Sequence, residues 1–313
     1  MSSQSPNRWE SPATMVAQQL SIAGVGEALW DVFQHNEEFG GAPANFVSHC
    51  SMLGERGYLV SALGSDHRGQ LAVQHLTELG VDIEHCVTID GVETGVSSIS
   101  LESKGDAKYE IRENVAWDRV CYDSNLYPFF QSLHAICFGT LGQRTGKAHL
   151  ETMKMLSATK RECVKFFDLN LRQDFYTMEV ISQSLIHSNI VKLNEDELGV
   201  LSKLSPVKGS DEAIVDDLIK RFKINLVALT LGERGSVLMS QEGRYVEGAC
   251  DVEVVDTVGA GDAFSAVMVI GYLRDWSLSR ISRAANGLGG FVCSKPGATP
   301  RVSRDFLEGF SVE

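Results

Sequence analysis

The amino-acid sequence predicts a three-layer α/β/α fold in which a mostly parallel central sheet lies between two layers of helices. Short apolar runs, which are typical of buried strands, alternate along the chain with longer amphipathic stretches, which are typical of helices. Strands that alternate with helices in this way usually form a parallel sheet covered on both faces. The predicted strands are 20–24, 58–62, 135–138, 164–167, 190–193 and 226–230, and the clearest helices are 44–53, 70–79, 147–157 and 212–222.

Extended segments interrupt this alternation and predict a small antiparallel β lid. Residues 94–102 and 107–112 flank a Gly- and Asp-containing turn at 103–106, where a helix would otherwise be expected. Residues 29–39 also have an extended pattern. We therefore expect lid segments at about 29–39 and 93–117 that cover the active edge of the main sheet. The alternative is a surface ornament or a dimer contact, and the lid sheet would suit a homodimer.

Composition excludes several classes of protein. The 313 residues are 43% hydrophobic, which is enough for a substantial core, and the net charge of −13 argues against nucleic acid or an anionic membrane as a general partner. No apolar stretch reaches the roughly 18 residues of a membrane-spanning helix. Residues 1–19 are polar and predict a flexible leader before a domain at 20–313. Seven scattered cysteines without a CxxC pair favour a reducing, cytoplasmic location.

The most informative segment is 256–264, which reads Asp-Thr-Val-Gly-Ala-Gly-Asp-Ala-Phe and precedes a long apolar run. Its glycines allow close backbone approach, and the N-terminus of the following helix would offer free N–H groups to phosphate oxygens. Asp262 would repel the same phosphates unless a hydroxyl lies between them and loses its proton during transfer. The alternative is that Asp262 is a simple helix N-cap.

Polar residues follow other predicted strands. Asn194 and Glu197 come just after the strand at 190–193, where hard oxygen ligands suit Mg²⁺, although an acidic helix start has the same pattern. Thr230, Gly232 and Gly235 form a strand-end loop that suits nucleotide phosphates or a plain turn. The segment 40–45 is a Gly-rich turn that leads into a helix.

Three common motifs are absent from the sequence, which narrows the reaction class. GxxxxGK[ST] does not occur, and no GxGxxG follows the first strand, so P-loop NTPases and dinucleotide-binding enzymes are disfavoured. HExxH is also absent.

Taken together, these segments resemble the ribokinase-like (PfkB) carbohydrate kinases, most closely the fructokinases of that family. The resemblance rests on two signatures: the segment 40–45 with 53–54 and 64–69, and the segment 256–262. Three further segments occur in the family's order, at 194–197, 230–235 and 295–298. It covers about 20–300.

The resemblance implies an ATP-dependent sugar kinase with Asp262 as catalytic base and the amides of Gly259, Ala260 and Gly261 as the anion hole. The implied sugar-binding residues are Asp31, Gly41 and Asn45, with Arg172 of the segment 168–172 near sugar and phosphates. The implied ATP-binding residues are Asn194, Thr230, Gly232, Gly235 and Asn286. Glu197, with Asn194, would help to position Mg²⁺.

D-fructose is the expected substrate, and the alternative substrates are a keto-deoxy sugar acid, another sugar or a nucleoside. A different alternative is a sugar-binding sensor without catalysis. The sugar acid remains a candidate substrate because the guanidinium of Arg172 suits a carboxylate. Relatives also bind K⁺ beside the anion hole, here through Asp256 and carbonyls around Val258, Val292 and Gly297. Val258 and Arg301 depart from the family pattern, and we hypothesise that Arg301 weakens or replaces the cation.

Overall fold

The strands of the computed structural model, which describes residues 18–33, 36–101 and 107–310, form two sheets. The main sheet has nine strands in the order β13-β12-β11-β10-β9-β8-β1-β4-β5, and the smaller one has the order β3-β2-β6-β7. The strands are β1 (Ser21–Val25), β2 (Leu29–Val32), β3 (Glu37–Gly40), β4 (Arg56–Gly64), β5 (Cys86–Ile89), β6 (Gly95–Leu101), β7 (Ala107–Ile111), β8 (Ala135–Gly139), β9 (Val164–Asp168), β10 (Ile190–Asn194), β11 (Leu226–Thr230), β12 (Ser236–Ser240) and β13 (Gly243–Glu247).

Helices cover both faces of the main sheet and complete three layers. Adjacent residues of β1 point to opposite faces of the sheet. Ile22 packs in the core on the face covered by the first, second, eighth and ninth helices of the chain. Ala23 packs in the core on the other face, which the third to seventh helices cover. The helices are α1 (Ala42–Met52), α2 (His67–Glu78), α3 (Tyr127–Ser132), α4 (Gly146–Ala158), α5 (Met178–His187), α6 (Glu195–Leu201), α7 (Asp211–Phe222), α8 (Ala260–Leu273) and α9 (Leu278–Cys293).

The predicted fold is confirmed, and the six predicted strands all belong to the main sheet. The neighbouring strands β5, β4, β1, β8, β9, β10 and β11 of the main sheet all pair in parallel, whereas β12 and β13 add antiparallel strands at one edge. The sequence pattern missed β5, β12 and β13. β5 and β13 lie at the two edges and leave part of their side chains exposed, so they lack the continuous apolar run that marks a buried strand.

The small sheet contains the predicted hairpin. β6 pairs antiparallel with β7, and β2 pairs antiparallel with β3, whereas the central β2–β6 pair is parallel, with Leu29 opposite Gly95. The predicted turn at 103–106 lies outside the described residues.

The connections place a crevice at one edge of the main sheet. β1 lies between β4, to which the chain proceeds through α1, and β8, from which it proceeds to β9 on the other side. Ligands bind at such a change of direction, beyond the carboxyl ends of the strands. No helix in the described part of the chain is long and apolar enough to cross a membrane.

Candidate active site

The glycine loop before α8 has a backbone that other residues would disturb. Gly259 is the N-cap of α8 and has a φ of 78°, a left-handed conformation that favours glycine. A Cβ at this position would lie 2.3 Å from the carbonyl oxygen of Ala298. Asp256 joins the two loops, because its carboxylate accepts hydrogen bonds from the N–H of Val258 at 3.0 Å and of Gly297 at 3.2 Å. The free amides at the start of α8 are therefore held in a fixed position.

Asp262 is the third residue of α8 and not its N-cap, which is Gly259, so the alternative of a simple cap is wrong. Its Oδ2 accepts a hydrogen bond from Nδ2 of Asn45 on α1, at 2.8 Å. Burial and the charge of Asp168 raise the pKa of Asp262 to about 6, while Lys192, Asn45 and Arg172 lower it. A carboxylate with this pKa is ionised at neutral pH and close to the range in which a general base is most effective.

Asp262 opens into a cleft of about 540 Å³. The cleft lies between the glycine loop, the ends of β1, β8 and β9, and β2 and β6 of the small sheet, so the small sheet covers one side of it. Eight predicted residues line it, and Ala260 lies between two of them: Asp31, Gly41, Asn45, Arg172, Val258, Gly259, Gly261 and Asp262.

Glu27 also lines this cleft, and the sequence analysis did not select it as a site residue. Its side chain is buried, and its Oε2 has no hydrogen-bond partner in the described part of the chain. Burial raises its pKa to about 7, although backbone N–H groups, including that of Ala42, and the charge of Arg172 lower it. The available signal was an acidic residue directly after a fully buried strand.

Lys192 of β10 and Asp168 of β9 form a buried ion pair beneath the glycine loop. The Nζ of Lys192 lies 2.8 Å and 2.6 Å from the two carboxylate oxygens of Asp168. Lys192 also lines the cleft. Neither residue was predicted as a site residue, although a lysine within an otherwise apolar strand is an unusual feature.

The predicted nucleotide-binding residues gather beside the cleft and do not line it. Asn194 and Thr230 lie opposite each other at the ends of β10 and β11. Nδ2 of Asn286 on α9 donates to Oγ of Ser236 at 2.8 Å, and Ser236 pairs with Thr230. The loop that joins β11 to β12 contains the two remaining predicted residues, both with positive φ angles: Gly232 and Gly235.

The predicted magnesium residues form a capping box at the start of α6. Oδ1 of Asn194 accepts from the N–H of Glu197, and Oε2 of Glu197 accepts from the N–H of Asn194, both at 2.9 Å. Oε1 of Glu197 accepts from the N–H of Leu171 at 2.8 Å. The described residues contain no group of three or more His, Cys, Asp or Glu side chains that could hold a metal ion. This donor set fits Mg²⁺ that arrives with a nucleotide and retains its waters, rather than a dedicated protein cage.

Comparisons with known proteins agree with this geometry. The family described as pfkB family carbohydrate kinase matches residues 13–304. The chain belongs to this family. It is 26% identical to fructokinase-1 of Oryza sativa subsp. japonica over 301 residues, which cover 90% of each chain.

Solved structures show the same fold. An uncharacterized sugar kinase from Pyrococcus horikoshii has a TM-score of 0.80 and 26% identity, with 93% of this chain and 97% of that chain covered. A fructokinase with bound ATP from Xylella fastidiosa has a TM-score of 0.82 and 19% identity, with 93% and 97% covered. The predicted family is therefore confirmed: this pfkB kinase is a sugar kinase, a phosphotransferase that acts on an alcohol group.

Proposed function

We propose that this pfkB kinase transfers the γ-phosphoryl of ATP to a hydroxyl of D-fructose. The observation that carries the proposal is Asp262, which lies at the cleft beside the free amides of α8 and is held by Asn45. The relatives of this chain include a rice fructokinase, and a fructokinase of similar fold was solved with bound ATP.

In this mechanism the carboxylate of Asp262 accepts the proton of the attacking sugar hydroxyl. The N–H groups of Gly259, Ala260 and Gly261, together with the positive end of the α8 dipole, stabilise the charge on the transferred phosphoryl. Asp31, Gly41 and Asn45 orient the sugar hydroxyls, so positioning and electrostatics supply most of the rate enhancement.

The nucleotide would lie along the neighbouring strand ends, where Thr230, Gly232, Gly235 and Asn286 shape the surface. When bound, Mg²⁺ neutralises phosphate charge, and Asn194 and Glu197 would hold it through water.

The charges of the cleft favour a neutral sugar. Glu27, Asp31 and Asp262 all line the cleft and all have raised pKa values, with burial as the largest cause. A substrate carboxylate would meet three acidic side chains and would therefore bind at an electrostatic cost. Arg172 provides the opposing charge in the same cleft and favours 2-keto-3-deoxygluconate as the second candidate.

The substrate is tested by coupled ADP release with fructose, ribose, 2-keto-3-deoxygluconate and adenosine, each with and without Mg²⁺. We expect fructose to give the highest kcat/KM and activity to require Mg²⁺. A higher kcat/KM for the sugar acid would assign that substrate instead. If no sugar is turned over and fructose still binds in calorimetry, the protein is a sensor rather than an enzyme.

A monovalent cation site is also proposed beside the anion hole. The carboxylate of Asp256 and the carbonyls around Val258, Val292 and Gly297 are hard oxygen donors, which fit K⁺. Since Asp256 joins two loops through backbone N–H groups, a cation there would stabilise the same junction. The hypothesis that Arg301 replaces this cation predicts equal activity in potassium and sodium chloride, and a steep rise with potassium alone would contradict it.

Two broader properties complete the proposal. A homodimer through the small sheet would bring two lids together, and light scattering of the full chain would measure the molecular mass. A cytoplasmic location is proposed from the scattered, unpaired cysteines, and fractionation of cells would test it.

A further inference from the structure

A buried charge pair lies directly beneath the proposed catalytic base. The ammonium of Lys192 contacts both oxygens of Asp168, and both side chains are buried. Oγ of Ser265, one turn after Asp262 on α8, donates to Oδ2 of Asp168 at 3.1 Å. The pair is thus connected to the same helix that carries Asp262.

The lysine reaches the glycine loop itself. A Cβ at Gly261 would lie 3.4 Å from Nζ and 3.7 Å from Cε of Lys192. The end of the lysine side chain therefore lies against the first turn of α8, at van der Waals distance from the position of a Cβ on Gly261. The positive charge is held next to the amides that precede Asp262.

Stability does not account for this pair. Moving two ions out of water costs several kcal/mol each, and well-packed apolar side chains of similar volume are often as stable or more stable. Burial lowers the pKa of Lys192, yet the charge and hydrogen bonds of Asp168 raise it above its ordinary value, so the lysine stays charged. A charged pair that lies beside the proposed reacting group therefore points to an electrostatic task.

Several charged groups surround Asp262. Asp168 and Glu27 carry like charge, Arg172 and Lys192 carry opposite charge, and the buried thiol of Cys137 on β8 interacts electrostatically with Asp262. Of these, Asp168 and Lys192 act in opposite directions from one ion pair. The balance between them is therefore adjustable by single substitutions.

We propose that Lys192 is a positioning residue of the phosphoryl transfer, with Asp168 as its anchor: it keeps Asp262 ionised and places a fixed positive charge beneath the anion hole. This role rests on the proposed function of Asp262 as base. It gives Lys192 and Asp168 opposite effects on the acid limb of the pH–rate profile.

The test measures kcat/KM for the sugar against pH at saturating ATP for wild type, Lys192→Met, Asp168→Asn and the double variant. Lys192→Met should move the acid limb to higher pH by about one unit, because Asp262 then loses the opposite charge of Lys192 and still faces the like charge of Asp168. Asp168→Asn should move it to lower pH by a similar amount. The double variant should return close to wild type.

Three controls isolate the effect. The titration of ATP is common to all variants, so it cancels in the comparison. Glu27→Gln in each background removes the cleft carboxyl whose pKa is raised to about 7, and the shifts should survive. Lys165→Met neutralises a lysine on β9 outside the cleft and should leave the limb unmoved. Circular dichroism checks folding, and if Lys192→Met does not fold, Asp168→Asn and the double variant still decide.

The outcomes separate this inference from the proposed function. If Asp262→Asn retains turnover, the base assignment fails. If Asp262→Asn is inactive and Lys192→Met and Asp168→Asn leave the limb unmoved or shift it in the same direction, the base assignment stands and the role of Lys192 is overturned. A purely structural role would lower activity without opposite shifts.

Discussion

The cleft and the neighbouring ends of β10, β11 and β12 occupy the same edge of the sheet, yet their polar residues are held in different ways. In the cleft, Glu27 and Asp262 are carboxyl groups with raised pKa values, and one oxygen of Glu27 lacks a partner among the described residues. At the neighbouring strand ends, the side chains of Asn194 and Thr230 form hydrogen bonds with nearby backbone groups. The cleft thus carries electrostatic strain, whereas the neighbouring strand ends are shaped mainly by their backbone.

The largest effect on turnover is expected when the charge of Asp262 in the cleft is removed. Asp262→Asn should lower kcat by at least about 10³-fold while ATP and sugar affinities stay within about tenfold, since the loss is confined to the transition state. Single-turnover kinetics and calorimetry would measure the two parts. Asp275→Asn, an exposed carboxylate just after the same helix, is the matched control and should turn over normally. Near-normal turnover of Asp262→Asn would contradict the assignment.

A pair of glycine substitutions compares the cleft directly with the neighbouring strand ends. Gly259 and Gly232 have φ angles of 78° and 59°, so alanine costs about 1–2 kcal/mol of conformational energy at either position. Only at Gly259 does the new Cβ also meet backbone, whereas nothing lies within 4 Å at Gly232. We expect Gly259→Ala to lower kcat by about 10²-fold. Gly232→Ala should change mainly the KM for ATP, and equal losses of kcat would remove the distinction.

Glu27 should make the folded protein less stable as the pH rises. Its folded pKa of about 7 lies above the ordinary value of 4.5, so the folded state holds a proton that the unfolded state has released. Stability therefore falls from about pH 4.5 to 7, by up to about 3 kcal/mol, and stays low above that range. Glu27→Gln should be more stable than wild type by about 2 kcal/mol at pH 8 and by much less at pH 5. Urea unfolding at both pH values would show it, and an equal difference at both would contradict the assignment.

The smallest effect is expected at the β12 edge. Asn286→Ala removes a neutral hydrogen bond to Ser236, which is worth about 1 kcal/mol. We expect the KM for ATP to rise about fivefold with an unchanged KM for the sugar. A matched Asn225→Ala, which removes a bond to Tyr272 on the surface, should leave both constants unchanged. A larger change in the KM for the sugar than in the KM for ATP would contradict the assignment of Asn286 to the ATP-binding residues.

The sequence predicted the layers and the glycine loop well because both have local signatures. A buried parallel strand is a continuous apolar run, and the segment around Gly259 and Asp262 combines turn glycines with an apolar helix. The edge strands β5 and β13 leave part of their side chains exposed and were missed, as was β12, whose apolar run is only three residues long.

The electrostatic part of the site could not be predicted in the same way. Lys192 and Asp168 are 24 residues apart, and their contact depends on the register of β10 against β9. The free oxygen of Glu27 is a property of the packed cleft, which no sequence pattern displays. The identity of neighbouring charges, and hence the pKa of Asp262, follows only from the assembled sheet.

The hydrogen bond between Asn45 and Asp262 joins residues that are 217 positions apart. As a ribosome makes the chain, α1 is complete long before α8 emerges, and its apolar residues Phe46 and Val47 belong to the core that α8 completes. Contacts over such a separation form late and slowly, and exposed apolar surface favours aggregation in the meantime. The nascent chain should therefore depend on protection by chaperones until about its last 50 residues have been synthesised.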